Sequence, residues 1–459
     1  MTEYRVINPA TGEEGTIHPT VTDSDVQDVL ARSERGYQSW RTTRIDDRAA
    51  TLTRVAELYT ERAGDLATLI TTEMGKTTKE ALGEVKLVAA IFRYYADQGP
   101  GFLADAPLDP QGGGTGFVRK APIGSLLGVM PWNFPYYQVA RFAAPNLMLG
   151  NTIILKHASQ CPESALAIQQ IFIDAGLPED AYINIFASTD QIADMVADAR
   201  IAGVSVTGSE GAGSAVAEVA GKNLKKVVLE LGGSDAFVVL DAADLTPVVK
   251  AAVAGRVGNA GQACNGTKRI IVVDALYDDF VEQFTEAMAA LTTGDPTDDA
   301  TDFGPMSSQG AVDSIAEQVQ DAIDQGATVR TGGARLEGKG AYFPATVLTD
   351  VTPDMRAYSE ELFGPVAVVH RATDVEHAIK LANDSDFGLG GTVFSDDLAT
   401  AQAAADQIDT GMVWINSAQG SAPDLPFGGT KRSGVGRELA ADGMEEFVNR
   451  KLIYAPRAN

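Results

Sequence analysis

Cys264 lies in the run Gly261-Gln262-Ala263-Cys264-Asn265-Gly266, between a helical pattern and a strand-like one. Small neighbours leave its sulfur approachable, and a thiolate is a potent nucleophile. Taken alone, the residue type favours a buried structural cysteine. The same reading holds more firmly for Cys161, which starts a helix before Pro162. Glu230 ends the apolar run Val227-Val228-Leu229 and precedes Leu231-Gly232-Gly233. A carboxylate there is costly unless used or paired. Desolvation would raise its pKa toward that of a general base working near neutrality, with a structural ion pair as the equal alternative. Asn133, in Pro131-Trp132-Asn133-Phe134-Pro135, follows a buried strand. Its amide could donate to an oxyanion, although capping the next helix is the commoner role in isolation. Gly208-Ser209-Glu210-Gly211-Ala212-Gly213 follows a strand ending at Val206 and opens a helix. Backbone N–H groups at such a start can hold a pyrophosphate. The segment misses GxGxxG, because Val216 stands where the last glycine belongs, so alone it reads as an ordinary loop.

These residues need elements to position them. Apolar periodicity predicts helices over Asp23–Gln38, Asp46–Glu73 and Thr78–Tyr95. Pro107, Pro110 and Gly112-Gly113-Gly114 mark a loop over Ala106–Gly116. Short apolar strands follow at Leu126–Met130, Thr152–Leu155, Ile183–Phe186, Gly203–Val206 and Val227–Leu229, alternating with helices such as Phe134–Leu149 and Pro162–Ala175. The alternation resumes after Gly232: strands Ala236–Leu240, Arg269–Val273, Gly364–Arg371, Thr392–Phe394 and Met412–Asn416, with helices Leu245–Gly258, Tyr277–Ala290 and Val375–Asn383. Phe447–Tyr454 reads as a last strand. Such alternation implies parallel sheets covered on both faces, with ligands beyond the strand C-termini.

Composition narrows the function. A chain of 459 residues exceeds one hydrophobic core, so two or more domains are expected. The formal charge of −26 argues against nucleic acid or an anionic membrane as partner. No apolar run reaches the roughly 18–20 residues of a membrane span, and Met1-Thr2-Glu3-Tyr4-Arg5 lacks the character of a signal peptide. A cytoplasmic location is expected. Two cysteines build no disulfide framework, and with four histidines they show neither CxxC nor HExxH, so no metal is expected.

Taken together, Pro131–Pro135, Leu229–Gly233, Gly261–Cys264 and Glu360–Pro365 resemble the aldehyde dehydrogenase superfamily. The resemblance runs from Asn8-Pro9-Ala10-Thr11-Gly12 to Lys431-Arg432-Ser433-Gly434. It is closest to bacterial succinate-semialdehyde dehydrogenases, through Leu155–Ser159, Leu229–Asp235 and Phe92–Ala96. It implies Cys264 as nucleophile, Glu230 as general base and Asn133, with the Cys264 backbone N–H, as oxyanion donors. An aldehyde would be captured as a thiohemiacetal, oxidised to a thioester and hydrolysed. The implied cofactor residues are Trp132, Gly208 and Gly232, with Lys156 at the adenosine ribose, Ser209 at the pyrophosphate, Glu361 at the nicotinamide ribose and Phe363 packing nearby. Ser159 stands where strictly NAD-dependent relatives often carry a Glu. With Lys156 it would accommodate a 2′-phosphate, so NADP is expected, with NAD accepted less well.

A substrate ending in a carboxylate needs a cation, and Arg141 matches a carboxylate-binding arginine of the family; an ion-pairing role is its alternative. A second arginine found in some relatives is replaced here by Gly258, and Ser421 would supply a hydrogen bond instead. Gly266 stands where some relatives place a second cysteine, so no local disulfide is expected. The sequence offers no physical account of Asn265.

The implied fold is α/β of aldehyde dehydrogenase type, two doubly wound α/β domains plus a small β oligomerisation hairpin. Residues 1–104 and 122–232 would bind the cofactor, and 233–445 would carry catalysis. An oligomerisation element of 105–121 and 446–459 would pair its terminal strand with a partner subunit, giving a homodimer or homotetramer. Other aldehydes, glutarate semialdehyde or aliphatic ones, remain open as substrates. A coenzyme-A-acylating enzyme is the more distant alternative, against which Glu230 weighs.

Overall fold

The central strands of the two large sheets are packed on both faces, which is why those segments read as unbroken apolar runs. The computed structural model describes residues 3–457. The outermost residues of the expected domain limits, Met1, Thr2, Ala458 and Asn459, lie outside them. The first sheet has the order Gly434–Val435, Lys226–Glu230, Ile201–Thr207, Ser125–Val129, Thr152–Lys156, Tyr182–Asn184. Its last five strands are parallel. Alternate side chains separate its faces. Leu126, Ile153 and Leu155 pack against the helices Ile45–Glu61, Thr78–Phe102 and Tyr137–Leu149. Leu127, Ile154, Val204 and Val206 pack against Asp23–Trp40 and Thr189–Ala197.

The second sheet has seven strands: Thr328–Thr331, Thr346–Thr349, Val366–Ala372, Thr267–Val273, Asp235–Val239, Gly390–Phe394 and Met412–Ile415. All pairs are parallel except the first. Phe237, Val239, Ile270 and Val272 face the helices Thr246–Val257 and Asp274–Ala289. Val238, Ile271 and Val273 face Val375–Asn383 and Leu398–Ala405.

In the first sheet the chain runs outward one way from Ser125–Val129 through Thr152–Lys156, and the other way through Ile201–Thr207. The order reverses between Ser125–Val129 and Ile201–Thr207. The crevice beyond the C-terminal ends of such a pair is where open α/β sheets bind ligands. Pro131–Asn133 and Gly208-Ser209 leave the sheet there.

Several expectations need amendment. The helical span 46–73 is two helices, Ile45–Glu61 and Ala63–Met74, broken at Arg62 (φ −105°, ψ 15°). The helix from Thr78 continues through Pro100 to Phe102. The expected loop over 106–116 contains the strand Ala106–Leu108 and the start of Thr115–Pro122. The helices Gln309–Asp324 and Leu398–Ala405 add to those expected.

The terminal strand is the main correction. Val448–Ala455 pairs antiparallel with Thr115–Pro122 of its own chain, from Val448↔Pro122 to Ala455↔Thr115, rather than with a partner subunit. Phe447 anchors it. Its ring packs on Phe142, 6.0 Å between centroids, and its carbonyl accepts from the Asn151 amide at 2.9 Å. The segment before it also returns to the first sheet, where Gly434 and Val435 pair with Glu230 and Leu229.

Candidate active site

The segment 131–137 is held by charges buried beneath it. Lys76 and Glu84 form a fully buried ion pair. The Lys76 amine donates to the Asn133 carbonyl (3.0 Å) and lies 3.6 Å from the centroid of the Phe134 ring. Glu84 accepts from the N–H groups of Tyr136 (2.9 Å) and Tyr137 (3.1 Å). A buried pair is sustained when hydrogen bonds satisfy its remaining atoms, as here. Glu84 therefore caps the helix Tyr137–Leu149, and Asn133 is not needed as a cap. Instead the Asn133 amide nitrogen donates to the Gln262 carbonyl at 3.0 Å. That carbonyl can only accept, which fixes the amide's orientation and leaves one N–H free.

The turn before Cys264 winds left-handed over three residues, Asn259 (φ 55°), Ala260 (φ 52°) and Gly261 (φ 75°). A Cβ on Gly261 would stand 2.1 Å from the Gly364 carbonyl oxygen, so only glycine fits. The sequence motifs around Gly261 and Gly364 are thus two halves of one contact. Buried cations hold the carbonyls of this turn. Arg256 donates to Gly261 O (2.5 Å) and Thr267 O (3.1 Å). Lys268 donates to Ala263 O (2.9 Å) and Cys264 O (2.6 Å) and pairs with Glu361 at 3.0 Å. Asn259 donates its amide to Asn133 O at 2.9 Å, joining this turn to the first segment.

Cys264 sits where two cavities meet. One, of about 300 Å³, opens at the reversal point of the first sheet and is lined by Trp132, Asn133, Gly208, Ser209, Glu230, Gly232, Cys264, Glu361 and Phe363. Trp132 meets Phe363 edge-on, 5.8 Å between centroids. Glu361 accepts from the Gly233 N–H at 3.1 Å, and a Cβ on Gly232 would meet its carboxylate at 2.4 Å. At Gly208 no atom lies within 4 Å of a would-be Cβ, so the approach to the helix Glu210–Lys222 is open. Ser209 caps that helix through Ala212 N–H (3.4 Å). These features fit the phosphate and nicotinamide end of a dinucleotide. Lys156 ends the neighbouring strand, its amine lowered in pKa by burial. Ser159 follows, its carbonyl bonded by Arg5 N–H at 3.0 Å. Neither lines the cavity itself.

Glu230 is 2 % exposed, and among the described residues neither carboxylate oxygen has a hydrogen-bond partner. Burial pushes its pKa well above the carboxylate range; Arg141 and Arg437 oppose the shift, while Glu438 adds to it. Burial also raises the Cys264 thiol to about 11, against the pull of Arg141 and Lys268. Burial thus works against the anionic form of both groups.

The second cavity, about 350 Å³, is lined by Phe134, Tyr137, Gln138, Cys264, Asn265, Ser421 and Phe427 among others. Ser421 accepts from the Tyr137 hydroxyl at 2.9 Å. Arg141 does not line this cavity, which corrects its expected direct contact with substrate. It is 0 % exposed, paired with Glu438, and its guanidinium lies 4.1 Å from the Phe427 ring centroid, behind the wall that Phe427 and Tyr137 form. A guanidinium without solvent needs a counter-charge, and the returning C-terminal segment provides it. Its link forward is Tyr137, whose hydroxyl lies 3.5 Å away.

Sequence reasoning missed Lys76, Glu84, Arg256, Lys268, Tyr137 and Glu438. Arg256 and Lys268 left a signal, as cations that share the largely apolar Thr246–Val257 and Thr267–Val273 with Lys250 and Arg269. Among the described residues, no three metal-ligating side chains converge.

The sequence model described as "Aldehyde dehydrogenase family" matches residues 1–453. A Deinococcus radiodurans succinate-semialdehyde dehydrogenase (NADP+) is 54 % identical, covering 98 % of this chain and 94 % of its own. The Mycobacterium avium protein of that name is 46 % identical over 98 % and 96 %. The crystal structure of Streptococcus pyogenes succinic semialdehyde dehydrogenase in complex with NADP+ superposes with a TM-score of 0.97 at 43 % identity, covering 99 % of this chain and all of that one (100 %). Lactaldehyde dehydrogenase from Escherichia coli superposes with a TM-score of 0.96 at 33 % identity, covering 100 % of this chain and 96 % of that one.

Burial disfavours the thiolate, so alkylation of Cys264 by iodoacetamide in the cofactor-free protein should be slow at neutral pH. The rate should keep climbing beyond pH 9, toward the raised value of about 11. A rate already level at pH 8 would contradict this environment.

Proposed function

Because this chain belongs to the aldehyde dehydrogenase family, we propose that it oxidises succinate semialdehyde to succinate with NADP. The observation that carries the reading is the position of Cys264 at the meeting of the two cavities, with Asn133 and Glu230 lining the same one. The aldehyde enters from the larger cavity, and the sulfur, once deprotonated, attacks its carbonyl carbon. The oxyanion of the resulting thiohemiacetal is received by the free Asn133 N–H and the Cys264 backbone N–H, contacts worth several kcal/mol in a transition state. A nicotinamide dinucleotide held by Trp132, Gly208, Ser209, Gly232, Glu361 and Phe363 supplies the hydride acceptor. Glu230 then deprotonates the water that hydrolyses the thioester. Its desolvated carboxyl is suited to work near neutrality.

Substrate choice rests on the hydroxyls of Ser421 and Tyr137, with the charge of Arg141 behind them. NADP follows from Ser159, which adds no negative charge near Lys156, and from relatives named for NADP. Residues 1–104 and 122–232 serve as the cofactor domain and 233–445 as the catalytic domain. The element of 105–121 and 446–459 assembles the chain into a dimer or tetramer, since among the described residues its sheet of Ala106–Leu108, Thr115–Pro122 and Val448–Ala455 leaves the edge of the last strand unpaired, with Leu452 62 % and Tyr454 48 % exposed. No helix among the described residues is long and apolar enough to cross a membrane, and both cysteines are free. A cytoplasmic location accommodates both facts.

Cys264→Ala should reduce aldehyde-dependent NADPH formation by on the order of 10⁴-fold or more, as for other covalent nucleophiles. Substantial residual turnover would remove the covalent mechanism. In steady-state kinetics, Ser159→Glu should raise KM for NADP about ten-fold or more by charge repulsion, with NAD less affected; unchanged selectivity would refute the role of Ser159. Leu452→Asp should lower the assembly's mass in sedimentation, and an unaltered mass would place the interface elsewhere.

A further inference from the structure

Cys264 has a companion at the junction of the two cavities. Among the described residues, Gln138 is the only other one that lines both. It belongs to the helix Tyr137–Leu149, whose leading N–H groups are held by Glu84, and its own N–H donates to the Phe134 carbonyl at 3.0 Å. The buried charges that fix Asn133 therefore fix the backbone of Gln138 too. The residue is 1 % exposed, and its amide oxygen, shut off from solvent, meets no donor among the described residues. An unpaired buried acceptor is costly, and its presence beside a nucleophile points to a donor met during the reaction. The two oxygens of Glu230 are unpaired in the same way, facing the smaller cavity. Asn133 Oδ1 and Thr207 Oγ1 are unpaired as well, but both residues line the smaller cavity alone. An acyl carbon carried by Cys264 sits at the junction, and Gln138 borders that junction from both sides.

We propose that Gln138 is a further catalytic residue: the water that hydrolyses the thioester donates one O–H to Gln138 Oε1 and the other to Glu230. This rests on the reading of Cys264 as nucleophile and Glu230 as base. With both hydrogens engaged, the lone pairs of the water oxygen are left to face the acyl carbon, an alignment that free water attains only at an entropic cost. Glutamine suits the task because its amide oxygen accepts a hydrogen bond without taking the proton, so Glu230 remains the base. A carboxylate in its place would set a second negative charge beside the sulfur and Glu230. In this step the water oxygen bonds to the acyl carbon and the bond from that carbon to Sγ breaks. One proton passes through Glu230 to Sγ, and the other leaves the new carboxyl group for solvent. The products are succinate and the free thiol. Nothing is oxidised or reduced here, since the hydride has already gone to NADP.

Gln138→Met keeps the side chain's length and helix propensity while removing the acceptor. Mixed with succinate semialdehyde and NADP in a stopped-flow instrument, it should form a first NADPH per active site no more slowly than the wild type. The steady rate that follows should fall about ten-fold or more, as the loss of one hydrogen bond in a transition state entails. Intact-mass spectrometry of the quenched mixture should find the succinyl group accumulating on the enzyme. Gln138→Ala, which cannot overpack the site, is expected to show the same burst and adduct. A general loosening of the site would slow the first turnover together with the later ones. The proposal is overturned if either variant keeps the wild-type steady rate, or if first and later turnovers slow together with no acyl-enzyme accumulating. A wild type that forms no NADPH from any aldehyde would instead strike the Cys264 reading beneath it.

Discussion

The residues before Cys264 are wound left-handed and do not continue as a helix; the Asn259 carbonyl accepts from the Gln262 N–H at 3.0 Å, and the carbonyls that follow draw on buried side-chain donors. The rest of the site follows from how those carbonyls are satisfied without water. Arg256 takes Gly261 O, and Lys268 takes Ala263 O and Cys264 O. Lys76 and Asn259 converge on Asn133 O. Arg256 spends its hydrogen bonds on main chain, while Lys268 and Lys76 divide theirs between main chain and the carboxylates of Glu361 and Glu84. The strained turn, of order 1–3 kcal/mol per such residue, is held by the surrounding lattice of donors. The sulfur and the Asn133 amide are thereby fixed to one another through backbone.

The same burial governs the electrostatics. Cys264 and Glu230 share an environment that disfavours either negative charge, and Arg141 is the main group opposing this for both. Because Arg141 is balanced by Glu438 rather than by solvent, its influence is steady rather than screened. Burial therefore weighs against a negative charge on the thiol and on the carboxyl alike.

Much of this was legible beforehand. The strand at Val227–Leu229 placed Glu230 at a sheet's C-terminal edge, and the four motifs, through their family resemblance, pointed to Cys264, Glu230 and Asn133, which line one cavity. The supporting charges were not legible. Lys76, in the connection before Thr78, and Glu84, inside the helix Thr78–Phe102, carry no distinguishing sequence signal, and only the fold shows that both are buried under Asn133. Arg141 was read toward the substrate because its partner, Glu438, is distant in sequence and reaches it only when Gly434–Val435 returns to the first sheet. The cis pairing of the last strand was missed because an exposed alternating segment fits a neighbour's edge as well as its own chain's.

That late return has a consequence for the order of assembly. Ser421, Phe427, Glu438 and the strand that closes over Glu230 all come from the final stretch of the chain. A nascent polypeptide emerging from the ribosome carries its thiol long before it carries the wall around it. The site is complete only once residues 421–438 have been made, and a cut ahead of them would disarm it while leaving most of both large sheets in place.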